Sequence, residues 1–178
     1  MANNVISTEE LANNLDSYKV LDCSVTMGRQ PGDDHRVNFL KSHIKGAQFL
    51  DLDNLKDQRS DLPFMMPSDK QFADAMKRLN VRLSDKVVCY DTGAMQFFGF
   101  RAAWMFQAMG HDNVWVLDGG FPKWTAEGRP VEGDANGPSE GFEYKLNPDR
   151  IKLLEQMKAF AGNAAERNYQ LLDVRAPD

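Results

Sequence analysis

The chain has 178 residues, of which 42% are hydrophobic and 26% charged, with a net charge of −5. This suits one α/β domain plus some extra, large enough to bury a core without disulfide or metal support. The basic residues are scattered, which excludes nucleic acid as an expected partner, and no run of about 18 apolar residues offers a membrane span.

Met1-Ala2-Asn3-Asn4 lacks the basic-then-apolar pattern of a signal peptide and the arginines of a transit peptide. Two cysteines, Cys23 and Cys89, argue against a disulfide framework and for a reducing setting. A cytoplasmic location is expected, with a mitochondrial one left open.

In chain order, Ser7-Thr8-Glu9-Glu10 opens a helix, with Ser7 as cap and Glu10 closing a capping box. Leu11 and Leu15 supply its apolar face. Residues 18–25 (YKVLDCSV) read as a buried strand, and 27–35 as a loop rich in glycine, proline and aspartate. Residues 39–53 read as a turn around His43-Ile44-Lys45-Gly46-Ala47 followed by a strand at 48–50. After a polar connection, Ser68 caps a helix over 69–79 with Phe72, Met76 and Leu79 on one stripe.

Residues 86–90 form a continuous apolar run, the mark of a parallel strand covered on both faces. Beyond Asp91-Thr92-Gly93 lies an apolar helix, 97–109, stopped by Gly110. A strand at 113–117 and a short helix at 121–127 complete the alternation. The pattern predicts a doubly wound parallel sheet flanked by helices. Residues 128–148 carry four glycines and three prolines and read as a linker hugging the surface.

The last thirty residues read as a helix over 150–161 and a strand over 169–174 (YQLLDV). Leu172-Asp173 there takes the role of Leu21-Asp22, so the ending repeats the beginning with a period of about 150 residues, a domain's length. The expected organisation is a domain over 1–131, a linker over 132–149 and the start of a second copy over 150–178. A strand with nothing after it would be a poor terminus, so truncation, processing or a partner chain is expected. The competing expectation is one domain whose final strand joins its own sheet.

Ordered motifs over 5–131 carry a resemblance. They are Ile6-Ser7-Thr8-Glu9-Glu10-Leu11, Val20-Leu21-Asp22, His43-Ile44-Lys45-Gly46-Ala47, Phe49-Leu50-Asp51-Leu52-Asp53, and Met65-Met66-Pro67-Ser68. Val87-Val88-Cys89-Tyr90-Asp91 and Phe100-Arg101-Ala102-Ala103-Trp104-Met105-Phe106 follow. Met109-Gly110-His111 and Leu117-Asp118-Gly119-Gly120-Phe121-Pro122-Lys123-Trp124 complete the set. The chain resembles the non-catalytic first domain of the two-domain rhodanese family, the thiosulfate and 3-mercaptopyruvate sulfurtransferases. Leu172-Asp173-Val174-Arg175-Ala176 resembles the opening of the second domain.

The resemblance implies a rhodanese-like fold and a cysteine persulfide that passes sulfane sulfur to cyanide or a thiol. The family's nucleophile sits between a buried strand and a helix N-terminus, where backbone N–H groups stabilise the thiolate. Here Asp91 stands in that place, and a carboxylate cannot carry a persulfide. The implied nucleophile therefore belongs to a C-terminal rhodanese domain, in the same polypeptide or on a partner chain. Asp53 and Arg101 are expected near the interdomain cleft. Arg175 matches an arginine that binds the small anionic sulfur donor, for which a guanidinium fork is suited. Phe64 replaces a histidine that some mercaptopyruvate enzymes place shortly before the Met-Met-Pro segment. No cofactor and no metal are expected.

Several motifs have plainer readings. Cys89 falls inside a strand and Cys23 at the end of one, so both read as buried thiols. Asp91-Thr92-Gly93-Ala94 copies an aspartic-protease signature, but it runs into a helix in an α/β pattern and reads as turn chemistry. A cysteine phosphatase needs an arginine six positions after its cysteine, and Met95 stands there after Cys89. His43 reads as packing or capping, and His35 and His111 lack metal-site spacing. Phe97, Phe100 and Trp104 read as a core stripe. Glu9-Glu10 reads as a helix start. The alternative function is a catalytically inactive rhodanese-fold module that binds a partner or an anion.

Overall fold

The apolar run before Asp91 forms the middle of the sheet. In a computed structural model, which describes residues 4–25, 34–93, 95–133 and 146–162, strand β1 (Val5–Ile6) precedes helix α1 (Thr8–Asn13) and strand β2 (Lys19–Asp22). Helix α2 (His35–Lys41), strands β3 (His43–Ile44) and β4 (Gln48–Phe49), helix α3 (Asp69–Arg78) and strand β5 (Val87–Tyr90) follow. Helix α4 (Phe97–Ala108), strand β6 (Val114–Leu117), helix α5 (Gly120–Ala126) and strand β7 (Val131–Glu132) come next.

The main sheet has the order β1-β6-β5-β2-β4, and every pairing in it is parallel. β5 lies at its centre, with Leu21 opposite Cys89 and Cys89 opposite Val116. The pleat sends alternate residues to opposite faces. Val87 and Cys89 join one core with Leu21, Val114 and Val116, closed by Phe72 and Met76 of α3 and Ala102 and Phe106 of α4. Val88 and Tyr90 join a second core with Val20, Leu117, Leu11, Phe39 and Trp124. Both faces of the sheet are buried, as a continuous apolar strand requires.

Local chemistry accounts for the ends of these elements. Ser7 accepts from the Glu10 backbone N–H, and Ser68 and Gln71 form a full capping box at α3. α2 corrects the expected turn before His43: Asp34 accepts from the N–H groups of Arg36 and Val37 and starts a helix there. β1 was not expected either. Its two residues are too few to show alternation, yet Val5 and Ile6 pair with Val116 and Leu117.

The chain divides into two compact units, residues 1–147 and 148–178. The first takes in the start of the expected linker, because β7 pairs antiparallel with β3 in a separate two-stranded ribbon. In the second, a 3-10 turn (Pro148–Arg150) precedes helix α6 (Leu154–Gly162). The expected strand at 169–174 lies outside the described residues.

Phe72 is fully buried and meets Phe106 edge-on at 5.1 Å. Phe72→Ala is expected to lower stability by about 3–5 kcal/mol. Ser68→Ala, which removes one cap, is expected to cost about 1 kcal/mol. Urea denaturation of the two variants checks both the size and the order of the losses.

Candidate functional site

Where β5 ends, the chain must bend sharply to start α4 back across the sheet. The first N–H groups of a helix have no partner within it, and here they lie in the protein interior. Gln96, the residue before α4, does not cap it with its side chain. Asp91 does so instead, from the other end of the bend. Its Oδ2 accepts from the N–H groups of Phe98 and Gly99, both at 2.9 Å, and its Oδ1 accepts from Gly93 N–H at 2.8 Å. The carboxylate is only 2% exposed, so the positive end of the α4 dipole and these three donors offset its burial.

The Asp91 backbone is held as firmly. Its N–H donates to Gln96 Oε1 at 3.2 Å, and its carbonyl accepts from Gln96 Nε2 at 3.2 Å and from Phe121 N–H at 3.1 Å. Gln96 adopts a left-handed φ of 52° to reach back in this way and also donates to the Gly93 carbonyl. Gly120 makes room for it, since a Cβ there would overlap the Gln96 amide. Gly99 lets α4 lie close on the sheet: a Cβ would stand 3.3 Å from Val116 Cγ1.

Behind Asp91 lies a second buried acid, Asp22. It accepts from Ser24 N–H at 2.9 Å and from the Tyr90 phenol. Burial pushes its pKa up against the pull of the Ser24 bonds, and the Asp91 charge adds to the rise. Tyr90 is raised in turn by burial and then by the Asp22 charge. Ser24 Oγ accepts from Thr92 N–H at 3.0 Å, which ties the bend to the end of β2.

Both thiols are fully buried in the sheet. Burial, with the Cys89 thiol beside it, drives the Cys23 pKa well above that of a free thiol. Such a group is inert as a nucleophile. Among the described residues, no three His, Cys, Asp or Glu side chains gather into a metal-binding group.

A model of the rhodanese-like domain matches residues 7–127. The chain belongs to the rhodanese family. It is 39% identical over 144 residues to the thiosulfate sulfurtransferase of Gallus gallus, covering 80% of this chain and 49% of that protein. It is 35% identical over 199 residues to thiosulfate/3-mercaptopyruvate sulfurtransferase 2 of Arabidopsis thaliana, covering 97% and 56%. Among solved structures it is similar to SseA from Escherichia coli, titled among 3-mercaptopyruvate sulfotransferases, with a TM-score of 0.85 and 28% identity over 92% of this chain and 63% of that one. The chain spans about half the length of the curated relatives it matches.

In this rhodanese domain the expected core stripe points outward, which is a correction. Phe97, Phe100 and Trp104 are 66%, 51% and 36% exposed, and Met95 beside them is 69% exposed. The inward face of α4 is made by Gly99, Ala102, Ala103 and Phe106. Both faces of the helix are apolar, and the small residues win the inner one because they allow close contact with the sheet. Trp104 is partly covered by Arg101, whose guanidinium carbon lies 4.8 Å from the ring centre.

Arg101 also donates to the Phe64 carbonyl, and burial lowers its pKa. Phe64 itself holds a left-handed φ of 56° and packs on Phe98 at 5.5 Å. Asp53 sits exposed in the turn after β4. Arg175 lies outside the described residues.

A cleft of about 360 Å³ opens beside Asp91, lined among others by Ser24, His35, Thr92, Met95, Phe97 and Phe98. A larger hollow of about 530 Å³ lies between α2, β4 and α3, where Arg36 and Arg78 stand with Asp51 and Asp74. Its balanced charges and lack of a thiol or serine in the lining set it apart from the bend. Sequence reasoning placed Asp91 at the bend, beside a helix N-terminus whose backbone N–H groups suit an anion, but missed Gln96. The glycine pair Gly119-Gly120 opposite was the signal for close approach.

Asp91→Ala is expected to lower stability by about 1–3 kcal/mol, the cost of orphaned buried donors. Asp91→Asn does little better, because its amide nitrogen would be a donor facing donors. Guanidinium unfolding of both variants tests this, and an Asn variant as stable as the parent contradicts it.

Asp22 gives a pH signature. Its folded pKa lies above the unfolded value, so it weakens the fold as pH rises through that window. Asp22→Asn is therefore expected to gain on the parent between about pH 4 and the folded pKa. A stability difference that stays constant with pH would rule this out.

Proposed function

We propose that this chain is the non-catalytic half of a sulfurtransferase that moves sulfane sulfur from thiosulfate or 3-mercaptopyruvate to cyanide or a thiol. The observation that carries the reading is the Asp91 carboxylate resting on Gly93, Phe98 and Gly99 N–H. A bend of this shape suits a thiolate or an anionic persulfide. Here the chain supplies the anion itself, so the persulfide is formed on a cysteine of a second, C-terminal rhodanese domain. The names of the relatives, all of them sulfurtransferases among those compared above, support the reaction class.

The outward face of α4 supports the partner. Met95, Phe97, Phe100 and Trp104 put large apolar side chains into solvent beside the cleft, and such patches mark interaction sites. The second domain closes over this face, with Arg101 and Asp53 at the margins of the interdomain cleft. Arg175 holds the anionic donor through its guanidinium fork. A cytoplasmic setting accords with two buried, unpaired thiols.

The same outward face also favours a second reading, a catalytically inactive rhodanese-fold module that recruits a protein partner. The transcript distinguishes them. A cysteine-bearing strand-to-helix loop roughly 70–80 residues beyond Asp178 supports the enzyme, and a stop codon supports the module.

The isolated chain is expected to show no thiosulfate cyanolysis above the blank and no sulfur adduct by mass spectrometry. Turnover lost in Cys89→Ser would move the nucleophile to Cys89 and defeat the proposal. In the two-domain protein, Phe97→Ser with Phe100→Ser is expected to lower turnover roughly tenfold or more while the fold is retained.

A further inference from the structure

The main sheet ends with β4, so one side of this strand has no partner strand. Phe49 lies opposite Asp22, and the next bond runs from Leu50 N–H to the Asp22 carbonyl at 2.8 Å. In a parallel ladder the residue between two bonding neighbours turns its own N–H and C=O away from the partner strand. The Phe49 backbone therefore faces outward. The Asp51 N–H, two residues on, also has no acceptor among the described residues. Unpaired groups of this kind are a template for another strand.

The hollow of about 530 Å³ runs along this edge. Its walls come from opposite faces of the sheet. α2 packs through Phe39 on the core that holds Val88 and Tyr90, and α3 packs through Phe72 and Met76 on the core that holds Val87 and Cys89. β4 is the seam between them: Phe49 joins the α2 side, 5.6 Å from Phe39, and Leu50 joins the α3 side. Leu40, 43% exposed, and Leu79 give each wall an apolar patch.

The formal charges in the hollow balance, but they are not equally engaged. Asp74 is paired with Lys70 at 2.8 Å. Both oxygens of Asp51 accept from Asn54, at 3.1 and 2.8 Å. Arg78 on the α3 wall adds to the field at Asp74. Its guanidinium, like that of Arg36 on the α2 wall, makes no hydrogen bond or close ion pair among the described residues, and both arginines are exposed. One unengaged guanidinium thus stands on each side of an unpaired strand edge.

We propose that this hollow is a docking groove for an acidic, extended segment of another protein, which adds to the sheet beside β4. The segment's backbone bonds to Phe49 and Asp51. Its successive side chains point to opposite walls. Neighbouring acidic residues therefore meet Arg36 and Arg78, while apolar residues beside them cover Leu40 and Leu79. The charges select the segment and the backbone ladder holds it. A second copy of the chain does not suit the groove, because β4 against β4 would bring two sets of arginines to one seam. The groove shares no lining residue with the cleft beside Asp91, so the inference stands apart from the sulfur chemistry proposed above.

The probe is a capped peptide of the repeating unit glutamate-glutamate-valine-valine, about eight residues long. It presents acids and apolar residues alternately to both walls. Titrated into the nitrogen-15-labelled chain, it is expected to move the Phe49 and Asp51 amide signals and to slow their hydrogen exchange roughly tenfold or more. Arg36→Glu with Arg78→Glu is expected to weaken binding roughly tenfold or more, and the exposure of both positions spares the fold. The same peptide with every backbone N–H methylated keeps its side chains and loses the ladder donors, and it is expected to bind at least about tenfold more weakly. No movement at Phe49 and Asp51 overturns the groove, as does equal binding of the peptide with lysine in place of glutamate. Equal binding of the methylated peptide, or of glutarate alone, makes the hollow a site for small acids and overturns the added strand.

Discussion

Everything around the bend depends on one requirement: the buried start of α4 presents N–H groups that must find an acceptor. A carboxylate is the strongest acceptor a side chain offers, and the helix dipole favours its charge there. Asp91 meets the requirement from the position just after the apolar strand β5, which fixes the distance between strand and helix. Gln96 then closes the loop with its amide, and Gly120 leaves it space. The bend is thus rigid and self-satisfied. A thiolate in the same position would satisfy the same donors while remaining able to attack, and the two cannot occupy the site together. The firmness of the bend comes from the Asp91 carboxylate and the three backbone donors it satisfies.

The second consequence is the orientation of α4. A helix that starts so close to the sheet must present small side chains to it, and Gly99, Ala102 and Ala103 do so. The large residues are then pushed outward, where Phe97, Phe100 and Trp104 form an apolar face beside the cleft. Arg101 bridges this face and the loop at Phe64, stacking on one and donating to the other. Tight packing inside and an unsatisfied surface outside are two sides of the same helix.

At the opposite core, the small β3–β7 ribbon stands apart from the main sheet. It is built from elements too short to stand alone, and it relies on side chains for its hold: Tyr90 on Ile44, Trp124 on Pro130, Glu132 on Gly46.

Much of this was written in the sequence alone. The alternation of helices and strands, the central strand ahead of Asp91, the caps at Ser7 and Ser68 and the acid at the bend all follow from local pattern, because periodicity and capping are properties of neighbours along the chain. The two-residue strand β1 and the helix α2 were hidden, since the first is too short to alternate and the second is announced only by Asp34 as its cap. Which face of α4 turns inward was also undecided, as both faces are apolar, and hydrophobicity alone ranked the larger one first. Only the tertiary structure could decide it, because distance from the sheet, set by the Asp91 bonds and by Gly99, makes side-chain size outweigh side-chain hydrophobicity. The meeting of His43 with Glu132 is of the same kind: two residues far apart in the chain face each other only when β7 returns to lie against β3.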